Sequence, residues 1–416
     1  MQNDEFFDVA MIGLGYIGLP TAAVIARAGL RVRGVDVSQM VVDTINQGSV
    51  HFKENDLDAL VQKVVEQGLL SASTEVPVAD TYLIAVPTPF TDGFQPDVSF
   101  VLAAMDRVAP CLAPGACVIL ESTSPVGTTA RIAQRLAENR PDLAVPGHCN
   151  GKPDISIAYC PERVLPGKII RELVANDRVI GGLTPACAER AAEFYRKFVK
   201  GDCVPTEAGA AEMVKLAENS FRDVNIAFAN ELSLIAEDMD IDVWEVIRLA
   251  NRHPRVQILQ PGPGVGGHCI AVDPWFLVAA SPEKARMIRT AREVNDSKAV
   301  HVAERLKGML DAAPDAQLAV LGLAFKPNID DFRESPALEI AEDLASYGER
   351  LVIVEPFARS LPGKLSGCGA RLASFEEAME QCRLVALLVD HDAFKDIPPQ
   401  MRDEKIVYDT RGTWSQ

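Results

Sequence analysis

Short apolar stretches that alternate with longer amphipathic ones set the strongest limit on how this chain can fold. Near the start, DVAMIGLG is typical of a buried strand, IGLPTAAVIARAG of a helix and RVRGVDV of a second strand. Later apolar runs, TYLIAVPTP, ACVILEST and DISIAYCPE, each end in turn-forming residues. Strands that alternate with helices predict βαβ units and a parallel sheet. We expect this N-terminal domain to cover residues 1–205.

The C-terminal part repeats the same plan. The runs AQLAVLGLAF, RLVIVEP, RLVALLVD and KIVYDTRG predict strands, whereas SPALEIAEDLASYG and SFEEAMEQC predict helices. A second Rossmann-like sheet is therefore expected over residues 313–416. The predicted fold class is α/β, with two Rossmann-like, doubly wound domains joined by a long central helix.

That central helix is predicted from a stretch with few helix breakers. Residues 206–239 contain no proline and, after Gly209, no glycine, and their apolar side chains recur at helical spacing. A helix of about thirty residues spans roughly 45 Å, which is long for one small domain. We expect it to join the two sheets and to form a homodimer contact. With the helical stretch PEKARMIRTAREVNDSKAVHVAERLKGML it makes a central domain, residues 206–312.

Composition excludes several classes of partner. The 416 residues carry a net charge of −17, which argues against binding to nucleic acid or to an anionic membrane. No apolar run reaches the roughly eighteen residues of a membrane span, and the acidic start MQNDEFFDVAMIGLG is unlike a signal peptide. Nine cysteines without a CxxC pair indicate a reducing compartment, so we expect a cytoplasmic protein. No metal-ligand spacing is present, and no metal is expected.

A glycine pattern after the first strand points to a dinucleotide. VAMIGLGYIG places Gly13, Gly15 and Gly18 in a G-x-G-x-x-G motif between a strand and a helix, and Asp36 ends the next strand. Such glycines allow a tight turn and a close approach of the backbone to a pyrophosphate at a helix N-terminus. The carboxylate would accept hydrogen bonds from ribose hydroxyls and repel a 2′-phosphate. The motif therefore favours NAD over NADP.

A second glycine-rich stretch, PGPGVGGHCIAVD, precedes Cys269. A cysteine in such a place is most often a small packed hydrophobe, but it is also suited to act as a nucleophile beside a ligand that touches bare backbone. His268 invites a Cys–His dyad. Because adjacent side chains usually point apart, we expect it to have a structural or substrate-contacting role instead.

Polar residues of the long helix complete a possible reaction centre. Lys215, Asn219 and Arg222 lie at i, i+4 and i+7, which places them on one helix face. A lysine and an asparagine beside nicotinamide could move an alcohol proton or stabilise an oxyanion. An alcohol oxidised once gives an aldehyde, which a cysteine can trap as a thiohemiacetal. A second oxidation gives a thioester, and water releases a carboxylate.

The chain resembles the UDP-glucose/GDP-mannose dehydrogenase family over its entire length. The matching motifs are GLGYIGLP, VPTP, STSPVG, CPER, EMVKLAENSFRDVNIAFANEL, GGHCIAVDP, GLAFKPNIDDFRESPA and DTRG. ANRHPRVQILQPGPGVGGHCIAVDPWF and NDRVIGG are most similar to the members that act on UDP-N-acetylhexosamines. The resemblance implies four-electron oxidation of the sugar C6 hydroxyl to a uronate, with NAD as acceptor, for the synthesis of cell-surface polysaccharide precursors.

The resemblance also implies site residues. Cys269 would be the nucleophile and Lys215 the proton donor or acceptor. The remaining catalytic positions would be Asp273, Asn219, Glu162 and Thr123. NAD would contact Gly13, Gly15, Tyr16, Ile17, Gly18, Asp36, Thr88, Thr123 and Arg333. The UDP-sugar would contact Arg163, Val164, Lys215, Asn219, Arg222, His253, Arg255, Gly266, Phe325, Lys326 and Arg411.

Alternatives remain open at this point. The substrate could be UDP-N-acetylglucosamine or UDP-glucose, the protein could be a one-step 3-hydroxyacid dehydrogenase, or it could be an NAD-binding sensor without chemistry. Two positions differ from the UDP-glucose enzymes: Val272 replaces a lysine before Asp273, and Pro166 replaces a second glutamate. We expect recognition at sugar C2 and water activation to differ accordingly.

Overall fold

The computed structural model describes most of the chain, namely residues 6–91, 93–267, 269–398, 402 and 404–414. It divides into two compact units, Met1–Ala217 and Glu218–Gln416. The strands, in chain order, are β1 Phe7–Ile12, β2 Val32–Val35, β3 Leu70–Ser73, β4 Ala79–Ile84, β5 Phe90–Thr91, β6 Gln95–Pro96, β7 Cys117–Leu120, β8 Ser156–Tyr159, β9 Arg178–Gly182, β10 Cys203–Glu207, β11 Leu318–Leu321, β12 Leu351–Val354, β13 Arg371–Leu372, β14 Leu384–Leu387 and β15 Ile406–Asp409.

Thirteen α-helices are present among the described residues. They are α1 Gly18–Arg27, α2 Gln39–Asn46, α3 Leu57–Glu66, α4 Ser99–Val108, α5 Thr128–Asn139, α6 Ile169–Ala175, α7 Pro185–Tyr195, α8 Ala208–Asp238, α9 Val243–Ala250, α10 Asp273–Ala280, α11 Arg286–Ala312, α12 Pro336–Asp343 and α13 Phe375–Gln381. Within the described residues, none of these helices is both long and apolar enough to cross a membrane.

The first unit is built on an eight-stranded sheet in the order β10-β9-β8-β7-β4-β1-β2-β3. All neighbouring pairs are parallel except β8 and β9, which run antiparallel. The central strands are buried because helices cover both faces of the sheet, as their nearly continuous apolar sequences predict. Strand β1 lies between β2 and β4, so the chain changes winding direction there. That point is where doubly wound sheets bind dinucleotides, outside the carboxyl ends of the strands.

The second unit contains a parallel five-stranded sheet in the order β13-β12-β11-β14-β15. One face packs against α11 and α12 through side chains such as Val302, Leu306 and Ile340. The other face packs around Met379 of α13 and Phe394. Its switch point lies between β11 and β14. The predicted α/β class with two Rossmann-like sheets is thus confirmed.

Helix α8 is the longest helix of the described residues, with 31 residues. It begins in the first unit and ends in the second, as the proline-free stretch predicted. At 1.5 Å per residue it spans roughly 46 Å. Strands β3, β5, β6, β9, β10 and β13 were not predicted from the sequence. Segments such as LSAS and CVPTE are short and partly polar, and they lack the apolar runs that marked the predicted strands.

Candidate active site

The three motif glycines after β1 differ in how much space a side chain would find at each position. Gly13 adopts φ +93°, and a Cβ there would lie 2.5 Å from the Ala85 carbonyl oxygen. A Cβ at Gly18 would lie 1.9 Å from the Gly13 oxygen, so α1 can approach the turn only with glycine at this position. A Cβ at Gly15 would have nothing within 4 Å. Gly15 therefore faces open space, where a pyrophosphate can approach the backbone.

Asp36 stands at the carboxyl end of β2, beside this turn. Its Oδ2 accepts a hydrogen bond from the Leu14 N–H at 3.0 Å, and its Oδ1 accepts one from the Ser38 N–H at 2.9 Å. The carboxylate is partly exposed and keeps lone pairs for ribose hydroxyls. Tyr16 stacks on Phe52 with ring centroids 4.3 Å apart, which fixes one wall of the crevice. The residues present fit a dinucleotide whose ribose lies at Asp36.

Loops after β4 and β7 meet at the same edge of the sheet. The Thr88 hydroxyl donates a hydrogen bond to the Thr123 carbonyl oxygen at 2.6 Å. The Ser122 hydroxyl donates to the Val86 carbonyl oxygen at 2.7 Å. Thr88 and Thr123 were both predicted to contact NAD. They are distant in sequence, and the structure brings them together.

Lys215 and Glu162 also come together in the first unit. The Lys215 Nζ donates a hydrogen bond to the backbone carbonyl oxygen of Glu162 at 2.8 Å, and both residues are buried. The Glu162 carboxylate points instead at Arg178, whose NH1 lies 2.5 Å from Oε2. Sequence reasoning missed Arg178, although an arginine inside the apolar strand of NDRVIGG was a signal of a buried ion pair.

A second buried acid lies close to this ion pair. Glu121 follows β7, and its Oε1 accepts a hydrogen bond from the Tyr195 hydroxyl at 2.6 Å. Burial, and next the negative charge of Glu162, raise the pKa of Glu121 to about 7. Burial likewise raises the pKa of the neighbouring Cys160 thiol to about 12, so this cysteine stays protonated and inert.

Glu212 fixes the start of α8 to the N-terminus of α5. Its two carboxylate oxygens accept hydrogen bonds from the Gly127 N–H at 2.6 Å and the Thr129 N–H at 2.8 Å. A carboxylate at a helix N-terminus satisfies otherwise unpaired N–H groups and complements the helix dipole. Burial raises the pKa of Glu212, with these hydrogen bonds opposing the shift. This contact, also missed from the sequence, holds the helix that carries Lys215.

In the second unit, Asn219 donates a short hydrogen bond from its side-chain amide to the Asp273 carboxylate. Both residues are buried. Asp273 opens α10, and its N–H donates to the Cys269 carbonyl oxygen at 2.8 Å. Cys269 is the only one of the nine cysteines that is exposed. This exposure argues against the packed-thiol alternative. His268 lies outside the described residues.

The glycines before Cys269 let the loop pack tightly on the C-terminal sheet. A Cβ at Gly267 would lie 2.8 Å from the Phe325 ring, and one at Gly266 would lie 2.2 Å from the Glu334 carbonyl oxygen. A Cβ at Gly262 would lie 2.5 Å from the Arg411 NH1. The sequence predicted that these glycines serve a bound ligand. The structure shows that the protein's own packing already requires glycine at Gly266 and Gly267, whereas the neighbour of Gly262 is the end of a flexible arginine side chain.

A buried polar network holds the beginning of this loop. The Gly262 N–H donates to the Asn230 Oδ1 at 2.9 Å, and the Asn230 amide donates to the Asn295 Oδ1, also at 2.9 Å. Asn295 then donates to the Asp223 carboxylate at 2.8 Å, which Arg292 pairs at 2.7 Å. The network connects α8, α11 and the loop.

The predicted substrate-binding residues of the second unit fall into two groups. Phe325, Lys326 and Arg411 follow β11 and β15, at the carboxyl edge of the sheet, and the Arg411 Nε donates to Asp390 at 2.9 Å. The other group is exposed: Arg222 is on α8, and His253 and Arg255 are in the turn after α9. Arg333, which was predicted to contact NAD, is also exposed and pairs with Asp331. In the first unit, Arg163 and Val164 adjoin Glu162 and are partly buried.

The C-terminal sheet also has an acidic residue at the end of a strand, directly after β12. Its carboxylate is engaged by other groups of the protein and is not available to a ribose. Glu355 follows β12 and accepts a hydrogen bond from the Leu323 N–H at 2.7 Å. Its carboxylate is also within 3.2 Å of the fully buried His391. Burial opposes ionisation of Glu355, but the hydrogen bond and charge of His391 lower its pKa overall. The dinucleotide crevice therefore belongs to the first sheet.

Three consecutive family models match this chain. The matched parts are the NAD binding domain of the UDP-glucose/GDP-mannose dehydrogenase family at residues 7–199, its central domain at 209–297 and its UDP binding domain at 319–416. The chain belongs to the UDP-glucose/GDP-mannose dehydrogenase family. It is an NAD-dependent oxidoreductase, and NAD is its cofactor. Among the described residues, no group of histidine, cysteine and acidic side chains could hold a metal ion.

Several family members are similar to this chain over its whole length. The UDP-N-acetyl-D-mannosamine dehydrogenase of Escherichia coli K12 is 55% identical over 420 residues, which cover 99% of this chain and 100% of that protein. The NDP-N-acetyl-D-galactosaminuronic acid dehydrogenase of Ralstonia nicotianae is 53% identical over 99% of this chain and 97% of its own length. The solved UDP-D-ManNAc dehydrogenase of Pyrococcus horikoshii has a TM-score of 0.86, 38% identity, and coverage of 97% and 95% of the two chains.

Proposed function

We propose that this family member oxidises the C6 hydroxyl of UDP-N-acetyl-D-mannosamine to the corresponding uronate. The supporting observation is the full-length 55% identity to a UDP-N-acetyl-D-mannosamine dehydrogenase, together with an exposed Cys269 four residues before a buried Asp273. A 53% identical relative is named for a galactosaminuronic acid. A UDP-N-acetylgalactosamine substrate is therefore the second candidate.

Each catalytic residue receives a role that its chemistry supports. Bound NAD would supply the hydride acceptor. The Lys215 Nζ would take up and return the proton of the C6 oxygen. The Cys269 Sγ would form a bond to the C6 carbon of the aldehyde, and water would break that bond once the carbon has reached the thioester level. Conversion of an alcohol to a carboxylate removes four electrons, so two NADH are formed per sugar.

The polar residues around these groups would position them. Asp273, held by Asn219, is buried and would orient the attacking water with Thr123. For the cofactor we propose contacts from Gly13, Gly15, Tyr16, Ile17, Gly18, Asp36, Thr88, Thr123 and Arg333. For the UDP-sugar we propose contacts from Arg163, Val164, Lys215, Asn219, Arg222, His253, Arg255, Gly266, Phe325, Lys326 and Arg411.

We assign these activities to three domains, residues 1–205 for NAD, 206–312 for dimerisation and the catalytic loop, and 313–416 for the UDP-sugar. The cations that we propose for the UDP-sugar site would allow a chain of net charge −17 to bind a diphosphate. Nine cysteines without a disulfide support a cytoplasmic location.

A homodimer formed through α8 is also proposed. Phe221, Phe228 and Ile235 follow one another at seven-residue spacing, and their exposures are 69%, 51% and 44%. This spacing places them along one side of the helix, as in helix pairs that pack together. Phe228→Glu should shift the molar mass measured by light scattering from dimer to monomer. Met40→Glu, at another exposed apolar position, should leave it unchanged.

The substrate is tested with a panel of UDP-sugars and NAD, by measuring NADH yield when the sugar is exhausted and identifying the product. We expect two NADH and one uronate per UDP-N-acetylmannosamine, without free aldehyde. Cys269→Ser should abolish this turnover because a hydroxyl is a far poorer nucleophile than a thiolate. One NADH per sugar, or full activity of Cys269→Ser, would contradict the covalent mechanism. Preference for the galacto sugar would favour the second candidate.

A further inference from the structure

The carboxylate of Glu162 is occupied by the protein itself. Its Oε1 accepts a hydrogen bond from the Arg163 N–H at 2.7 Å, and its Oε2 pairs with the Arg178 NH1 at 2.5 Å. The side-chain exposures of Glu162 and Arg178 are only 5% and 2%. Both oxygens of this buried carboxylate are therefore held by the protein's own groups.

Arg178 is itself held in place by its surroundings. Its NH2 donates a hydrogen bond to the Leu173 carbonyl oxygen at 3.0 Å, and its backbone N–H donates to the Asp202 carbonyl oxygen at 2.7 Å. The guanidinium carbon lies 5.5 Å from the centre of the Tyr195 ring. These contacts hold the Arg178 side chain in one position. Its ion pair in turn restricts the position of the Glu162 side chain.

The part of Glu162 that contacts another candidate catalytic residue is its backbone. Its carbonyl oxygen accepts the hydrogen bond from the Lys215 Nζ, and Lys215 is only 8% exposed. A carbonyl held rigidly can aim an ammonium group, because a lysine chain otherwise has several rotatable bonds. The orientation of Lys215 thus depends on the peptide of Glu162.

We propose that Arg178 and Glu162 are positioning residues for Lys215: their buried ion pair fixes the Glu162 peptide, whose carbonyl oxygen orients the Lys215 ammonium group. This inference rests on the proposed function, in which Lys215 moves the proton of the reacting oxygen. It gives the backbone of Glu162 a role in addition to the catalytic one that the family resemblance implies for this residue. The ion pair would act through Lys215 on proton transfer in both oxidation steps.

The first measurement needs no substrate. A pulse of acetic anhydride followed by mass spectrometry gives the rate at which Lys215 is acetylated in the full-length protein. Arg178→Met should raise that rate at least about tenfold, the size expected when a charge-assisted hydrogen bond is lost. Arg190→Met is the matched control, because Arg190 makes only a partly exposed, 3.6 Å pair with Asp80. It should leave the rate unchanged.

A double variant separates positioning from loss of stability. Arg178→Met leaves a buried carboxylate without its partner, which destabilises the fold. Glu162→Gln combined with Arg178→Met removes both charges, so much of that stability should return. Under the proposal, Lys215 remains rapidly acetylated in this double variant although its thermal midpoint recovers. Acetylation that returns to the wild-type rate together with stability would overturn the proposal.

The second measurement uses rapid mixing of enzyme with NAD and UDP-sugar. If Arg178 acts by positioning Lys215, Arg178→Met should slow both NADH-forming steps in similar proportion. If the ion pair serves only the hydrolytic water, the same variant should form two NADH quickly and then stall with the thioester on Cys269. That stall would overturn the proposal. A wild-type protein that oxidises no UDP-sugar would refute the proposed function, while the acetylation experiment would still decide the orientation of Lys215.

Discussion

The Asn219 side-chain amide donates its hydrogen bond to the carboxylate of Asp273, 54 residues away in sequence, and both groups are buried. The bond joins α8 to the first turn of α10, directly after the loop that ends at Cys269. It helps to set the position of a buried carboxylate. Its loss should therefore affect both stability and turnover.

Asn219→Asp should place two carboxylates against each other in this buried pair. We expect a loss of about 2 kcal/mol or more in the free energy of unfolding at pH 8, because the donor is lost and like charges repel. Acidification should reduce the loss, since one shared proton relieves the repulsion. Urea unfolding at pH 8 and pH 5.5 measures both effects. Asn225→Asp, on the same helix with its side chain near the surface, should change stability by less than about 0.5 kcal/mol.

Gly15 and Gly18 should respond oppositely to alanine. Gly18→Ala brings a methyl group onto the Gly13 carbonyl oxygen and should cost about 1–3 kcal/mol of stability. Gly15→Ala meets open space and should leave the unfolding free energy nearly unchanged, yet weaken NAD binding about tenfold or more, because the methyl group occupies the pyrophosphate position. Calorimetric titration with NAD checks this. Wild-type NAD affinity in Gly15→Ala would contradict the placement of the pyrophosphate.

Glu121 should make stability depend on pH. Because its pKa in the folded protein is about 7, raised from 4.5 chiefly by burial, the folded state holds a proton that the unfolded state releases. The resulting stability is fully present below about pH 4.5 and is lost as pH rises to about 7. Glu121→Gln should remove this dependence, gaining up to about 3 kcal/mol relative to wild type between pH 5 and pH 8.

The Glu121 prediction is measured by urea unfolding of wild type and variant at pH 5, 6, 7 and 8. The Tyr195 hydroxyl can still donate to the amide oxygen of the glutamine. Glu138→Gln, at an exposed position of α5, controls for the change of side chain itself. A constant difference between wild type and Glu121→Gln at every pH would show that Glu121 is already ionised at pH 5.

Arg411→Ala should lower the affinity for UDP without lowering the affinity for NAD. The Arg411 guanidinium lies at the carboxyl edge of the C-terminal sheet, next to Gly262 and paired with Asp390. Removing it should weaken binding of UDP about tenfold or more, because a cation that we propose to contact the diphosphate is lost. NAD affinity should change less than about twofold. Arg359→Ala, at an exposed position, serves as the control. A collapse of NAD affinity would show that the C-terminal domain binds the other ligand.

The sequence by itself determined the parts of this protein that depend on neighbours along the chain. Apolar runs predicted the central strands of both sheets, and the absence of glycine and proline predicted α8. The turn that we propose to bind the cofactor was predictable for the same reason: Gly13, Gly15, Gly18 and Asp36 lie within one βαβ unit, whose geometry is fixed locally. Family motifs added the candidate residues of the reaction centre without their contacts.

Only the tertiary structure decided which buried polar groups meet. Arg178 pairs with Glu162, Glu212 holds the N-terminus of α5 from 83 residues away, and Asn230 holds the glycine loop through a hydrogen bond to Gly262. The antiparallel pairing of β8 with β9 was decided in the same way. No local pattern specifies such partners, because a buried charge or amide is stabilised by whichever complementary group the folded chain brings within hydrogen-bonding distance.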